Sequence, residues 1–216
     1  MSSSILNPAS TTTAARTRRV TDAPTRVFHW LFALCFTGAY LTAESEHWRL
    51  VHVTLGYTFA GLLVFRLVWG LIGPRQARLG LMARKLSGLR TWIDGLRAGR
   101  PNGRQAQNLG MTATVLALMI AVVPVTLSGY ASENEWGGDW LGQLHGLIGD
   151  GLLALAIAHV GLIALLSLLR RTNLARPMLT GRIPGAGPDL ARRNHGLVAA
   201  LVIAAVVGFW VLQAAA

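Results

Sequence analysis

The sequence predicts an all-α membrane protein on three observations. Hydrophobic residues make up 52% of the 216 residues and charged ones 13%, with a mean hydropathy of +0.45. A soluble domain carries about 25% charged residues. Five apolar stretches are each long enough to cross a hydrocarbon core as a helix, which takes about 20 residues. Basic residues gather in alternate loops between those stretches.

Residues 1–15 are rich in Ser, Thr and Ala and read as a disordered tail, which we extend to residues 1–20. No apolar core precedes the arginines at 16, 18 and 19, so this segment does not read as a cleaved signal peptide. The first span is expected near 24–43 and the second near 50–73. Between 79 and 100, Met82, Leu86, Leu89, Ile93 and Leu96 recur at steps of four and three, with Arg84, Lys85, Arg90 and Arg97 on other faces. That pattern predicts an amphipathic helix lying on the membrane surface. Further spans are expected near 109–131, 141–169 and 196–214.

The loop charges predict an orientation. Arg16, Arg18, Arg19 and Arg26 flank the start of the first span, and eight basic residues from Arg75 to Arg104 follow the second. Six arginines, from Arg170 to Arg193, lie between the fourth and fifth. Arg49 is the lone basic residue of the two remaining loops, which hold Glu44, Glu46, Glu133, Glu135 and Asp139. The positive-inside rule puts the N-terminus in the cytoplasm and the C-terminus outside, as in a multi-pass protein of a bacterial inner membrane. The net charge of +11 does not point to nucleic acid, because it is spread between spans rather than gathered in one patch.

Ionisable residues at membrane depth are costly and mark function. Four of the six histidines, His29, His52, His145 and His159, fall inside the spans. His145 and His159 are 14 residues apart on one helix, so they share a face and stand roughly 21 Å apart along the axis. In the expected topology, His52 and His145 begin their spans at the outer side. His29 enters from the inner side, and His159 reaches that level from above. An outer pair and an inner pair result. Neutral imidazole ligates haem iron, and bis-His ligation leaves no open coordination position, which suits electron transfer. The pattern therefore reads as a b-type cytochrome with two haems b, against the plainer reading of four buried histidines bonded to backbone or hydroxyl partners. Cys35 is the single cysteine. One cysteine allows no internal disulfide, no C-x-x-C-H haem attachment and no iron–sulfur or zinc site.

Gly56 and Gly149 each follow a candidate ligand by one turn and clear room for a porphyrin, or else allow tight helix packing. Arg66 lies 14 residues after His52, at the inner level. It can hold haem propionates or snorkel to headgroups. His47 competes with His52 for the ligand role. Asp150 is either a proton carrier near the outer pair or a locally satisfied carboxylate.

Three segments carry a family resemblance. Residues 22–30, Asp22-Ala-Pro-Thr-Arg26-Val-Phe-His29-Trp30, resemble the D-x-P-x-R-x-x-H-W opening of bacterial cytochrome b561 and hydrogenase-type cytochrome b membrane subunits. His52-x-x-x-Gly56 followed by Arg66-Leu-Val-Trp69-Gly70-Leu-Ile-Gly73-Pro74-Arg75 is similar to the second-helix signature of that group, and the His145/His159 spacing also matches. The resemblance implies a four-helix transmembrane haem-binding bundle over residues 21–171, with electron exchange between quinones and a redox partner in a respiratory chain. The cytoplasmic loop and fifth, C-terminal transmembrane helix of residues 172–216 depart from the minimal version. The partner is a cytochrome c, a dehydrogenase or hydrogenase subunit, or superoxide in a superoxide:quinone oxidoreductase. The other class of function is a non-redox channel or assembly factor with structural histidines, which a reduced-minus-oxidised spectrum separates from the first. Glycines at 181–188 follow no strand and form no dinucleotide site.

Overall fold

The computed structural model describes residues 16–215. Helices α1 (Ala23–Thr42) and α2 (Arg49–Ile72) form one antiparallel hairpin. Helix α3 (Leu79–Arg97) follows, and α4 (Gly103–Glu133) and α5 (Trp140–Leu169) form a second hairpin. A short α6 (Arg176–Thr180) leads to the last helix, α7 (Gly196–Ala215), which packs on α1 and α2. Strands β1 (Thr17–Arg19) and β2 (Arg182–Pro184) pair antiparallel, Arg18 opposite Ile183. The hairpin turns lie at one end of the molecule, here the hairpin end, and the strand pair at the other, the sheet end. Residues 1–15 of the expected tail lie outside the described residues. Residues 17–19, which we included in that tail, are ordered because β2 supplies their ladder partners.

Four helical segments are long and apolar enough to cross a membrane: Glu46–Ile72, Gly103–Glu133, Trp140–Leu169 and Gly196–Ala215. Helix α1 spans 20 residues but is not among them. The outer faces are apolar, with Leu147, Leu168, Leu197 and Leu212 each at least 70% exposed. Apolar exposure of that extent fits a surface in contact with lipid. Helix α4 begins six residues before the apolar run at 109 because Asn102 caps it, accepting from Gln105 N at 3.1 Å. Its polar first turns are bonded as well. Gln105 Nε2 donates to Gly88 O of α3 at 2.7 Å, and Arg170 at the end of α5 donates to Gln107 Oε1 at 2.7 Å.

The core runs along the seam of α1, α2, α4, α5 and α7, through Cys35, Leu62, Val122, Leu152 and Val206. Aromatic rings continue along it: Phe28 to Phe32 at 4.8 Å and Phe32 to Phe59 at 4.0 Å between centroids. Trp210 Nε1 donates to Thr58 Oγ1 at 2.8 Å and joins α7 to α2.

The opening motif accounts for the sheet end. Asp22 is 1% exposed and caps α1 by accepting from Thr25 N at 3.3 Å. Its other oxygen accepts from Trp69 Nε1 on α2 at 3.0 Å. Pro24 stands in the first turn, where its missing N–H costs nothing. Arg26 and Trp30 donate to the carbonyls of Leu179 and Met178, at 3.3 and 3.0 Å, and so bind α6 to α1. Of the motif's five fixed positions, Asp22, Arg26 and Trp30 make these fastening bonds, and Pro24 and His29 do not.

Candidate functional site

The hairpin end encloses a cavity of about 670 Å³ between α1, α2, α4 and α5, lined by both His52 and His145. That volume falls within the range of about 300–1,000 Å³ usual for cofactor and small-molecule sites. His52 Nδ1 bonds Ala39 O of α1 at 2.8 Å, and His145 Nδ1 bonds Val125 O of α4 at 2.8 Å. A carbonyl only accepts, so each ring is protonated at Nδ1, and Nε2 is left with its lone pair. Metal-ligating histidines are held in this way, the second nitrogen donating to a backbone carbonyl or carboxylate.

The two rings stand 5.9 Å apart between centroids, at 80°. Imidazoles on opposite sides of one metal, each bonded through Nε2 at about 2 Å, have centroids roughly 6 Å apart. The separation of the two rings is of the size that one iron held between them would require. Gly56 and Gly149 line the same cavity, and open space lies where their side chains would be.

Sequence reasoning missed Gly129. A Cβ at this position of α4 would lie 2.7 Å from His145 Cε1 and 2.9 Å from its Nδ1, so no other residue leaves that ring where it is. A glycine inside a helix is a weak signal by itself. Gly110 stands on the same helix, and its Cβ would meet nothing nearer than 3.9 Å. Only the register of α4 against α5 separates them. The carbonyls of Ala39 and Val125 were equally invisible, since every residue has one.

Polar groups rim the cavity. Tyr40 Oη donates to Asp150 Oδ1 at 3.0 Å, joining α1 to α5. Arg49 of α2 and Glu133 of α4 pair at 3.1 Å, and Glu44 lies beside them on the lining. His47 is exposed and does not line the cavity.

From the Tyr40–Asp150 bond, 11 residues back along α1 reach His29 and 9 residues on along α5 reach His159. Both steps run the same way, by roughly 15 Å. The two histidines therefore stand at one level of the bundle. Each is partly buried, and each has a buried Nδ1 with no partner among the described residues. Buried polar atoms are nearly always satisfied, so these two imidazoles lack the backbone support that holds His52 and His145. Arg66 is buried at that end and donates through Nη1 to Ala77 O in the α2–α3 connection at 3.0 Å. His195 adopts a left-handed conformation (φ 50°) before α7 and meets Trp69 edge-on at 5.3 Å.

The family model for prokaryotic cytochrome b561 matches residues 20–181. The match takes in α1 to α6 and both histidine pairs, and ends before α7. No curated protein and no solved structure was found to match.

Proposed function

The chain belongs to the prokaryotic cytochrome b561 family, membrane b-type cytochromes of electron transfer, and from that premise we propose that it holds two haems b and exchanges electrons between a quinone and a second redox partner. The observation that carries this reading is the His52/His145 pair, 5.9 Å apart with both Nδ1 atoms tied to backbone. In this proposal His52 and His145 ligate one haem, His29 and His159 the other. Bound in this way, haem supplies a one-electron iron centre with no open position.

The protein's own groups then position and exclude. Ala39 and Val125 keep the Nε2 lone pairs aimed, and Gly56, Gly149 and Gly129 leave room. A haem held by both rings would leave its iron no open position, so a quinone would approach the hairpin-end cavity laterally from lipid. Oxidation of a quinol releases two protons with its two electrons. Glu44, Glu133 and Asp150 line the cavity at the hairpin end and accept protons there.

The placement in the membrane belongs to the same proposal. Helix α1 crosses alongside α2 as the first of five spans, α3 lies on the cytoplasmic leaflet, and the hairpin end faces the periplasm of a bacterial inner membrane. The acidic loops at that end and the basic ones opposite support this orientation. The second redox partner is a cytochrome c, a dehydrogenase or hydrogenase subunit, or superoxide.

Adding a quinol analogue to oxidised protein tests the proposal. Haem absorption should change to the reduced form, and His52→Ala should slow the change more than His29→Ala. If quinol leaves the protein oxidised while a soluble protein donor reduces it, the quinone role is wrong and the partner protein is the donor.

A further inference from the structure

Three more polar atoms at the sheet end are buried without a partner among the described residues: Thr25 Oγ1, Arg26 Nε and Arg182 Nη1. Thr25 and Arg26 precede His29 by four and three residues on α1, so all three share one helix face within about 6 Å of rise. Arg182 arrives from a distant part of the chain. Gly181, the residue before it, packs against Arg26 so closely that a Cβ would lie 3.2 Å from Nε. Neither guanidinium forms an ion pair among the described residues, where the two salt bridges are Arg49–Glu133 and Arg97–Asp94. The nearest carboxylate in sequence, Asp22, already accepts from Thr25 N and Trp69 Nε1.

Both arginines are partly buried, and burying part of a cation without a counter-ion is costly. Two guanidinium groups and a hydroxyl offer the donors that a carboxylate or phosphate accepts in paired, charge-assisted bonds. The first turn of a 20-residue helix adds a positive field of the same sign. We propose that Thr25, Arg26 and Arg182 form an anion site occupied by a propionate carboxylate of the haem at His29 and His159. This assignment rests on the two-haem reading. A phospholipid phosphate has the same donor requirements. The propionate is favoured because two of the three groups stand within about one turn of His29, on its own face.

The test is a double-mutant cycle between protein and cofactor. Protein reconstituted with haem b, or with its propionate dimethyl ester, is mixed with excess apomyoglobin, and transfer of the His29/His159 haem is timed. Esterification should speed transfer about tenfold or more in the parent protein, the loss of a charge-assisted bond. In Arg182→Gln the same esterification should have less than a third of that effect. Thr25→Val, which keeps size and shape, gives a second and smaller coupling if the arginine variant does not fold. Equal ester effects in parent and variants would overturn the propionate site. If Arg182→Gln instead lowers retained phosphatidylglycerol, measured as phosphorus per protein, the anion is a lipid headgroup and the assignment also falls. A haem count on His29→Ala comes first. Two haems retained there would refute the ligand pairing itself, a separate result from equal ester effects.

Discussion

His52 and His145 have both Nδ1 atoms on backbone carbonyls and face a ready cavity, whereas His29 and His159 have both Nδ1 atoms buried and without a partner among the described residues. Neighbouring helices make the difference. At the hairpin end, α1 and α4 each turn a carbonyl toward a ring on the adjacent helix, Ala39 to His52 and Val125 to His145. At the sheet end, the polar bonds run between other residues: Asp22 with Trp69, Arg26 with Leu179, Trp30 with Met178, Arg66 with Ala77. One end is organised around its two histidines, the other around fastening α1 to α2 and α6. Preset rings lose little freedom on ligation, and a supporting partner of this kind is worth roughly 10–100-fold in metal affinity. The hairpin-end haem should therefore be the more tightly held of the two.

The largest effect that divides the two ends is loss of a ligand. His52→Ala or His145→Ala should leave one haem per chain by pyridine haemochrome assay, with the His29/His159 centre intact, and His29→Ala or His159→Ala should do the reverse. Two haems remaining in any of the four would break the pairing.

Gly129→Ala sharpens the contrast without touching a ligand. The added methyl displaces the His145 ring, and the Val125 bond goes with it. Transfer of the hairpin-end haem to apomyoglobin should accelerate at least about tenfold, while the other haem leaves at its parent rate. An unchanged rate would mean that Gly129 is only a packing glycine, like Gly110.

The smallest effect is expected from Trp69→Phe at the sheet end. It removes one of the two donors to a carboxylate that is 1% exposed, so stability should fall by about 1–3 kcal/mol. Thermal denaturation should register this, with both haems still bound. A variant that melts like the parent would show that the Asp22–Trp69 bond does not hold this end together.

Much of this was legible in residue order. Hydropathy and length located α2, α4, α5 and α7, and the steps of four and three from Met82 to Leu96 located α3. A spacing of 14 residues put His145 and His159 on one face, because helical geometry is local and fixed. Other features were closed to that reading. The hydropathy run at 109 hid the capped polar turns of α4, since satisfaction of Gln105 and Gln107 depends on Gly88 and Arg170 far away in the chain. Thr17–Arg19 read as tail because its partner strand lies more than 160 residues on.

By itself the sequence determined the helical class, the apolar spans and the four histidines, all properties of residues within a turn or two of one another. Tertiary structure alone decided which nitrogen of each ring is free at the hairpin end, which glycine faces His145, and that Arg26 and Arg182 meet no carboxylate among the described residues. Each of these depends on the register between helices. Register is set by packing of side chains distant in sequence, and a shift of one residue would turn a carbonyl or a glycine away from its ring.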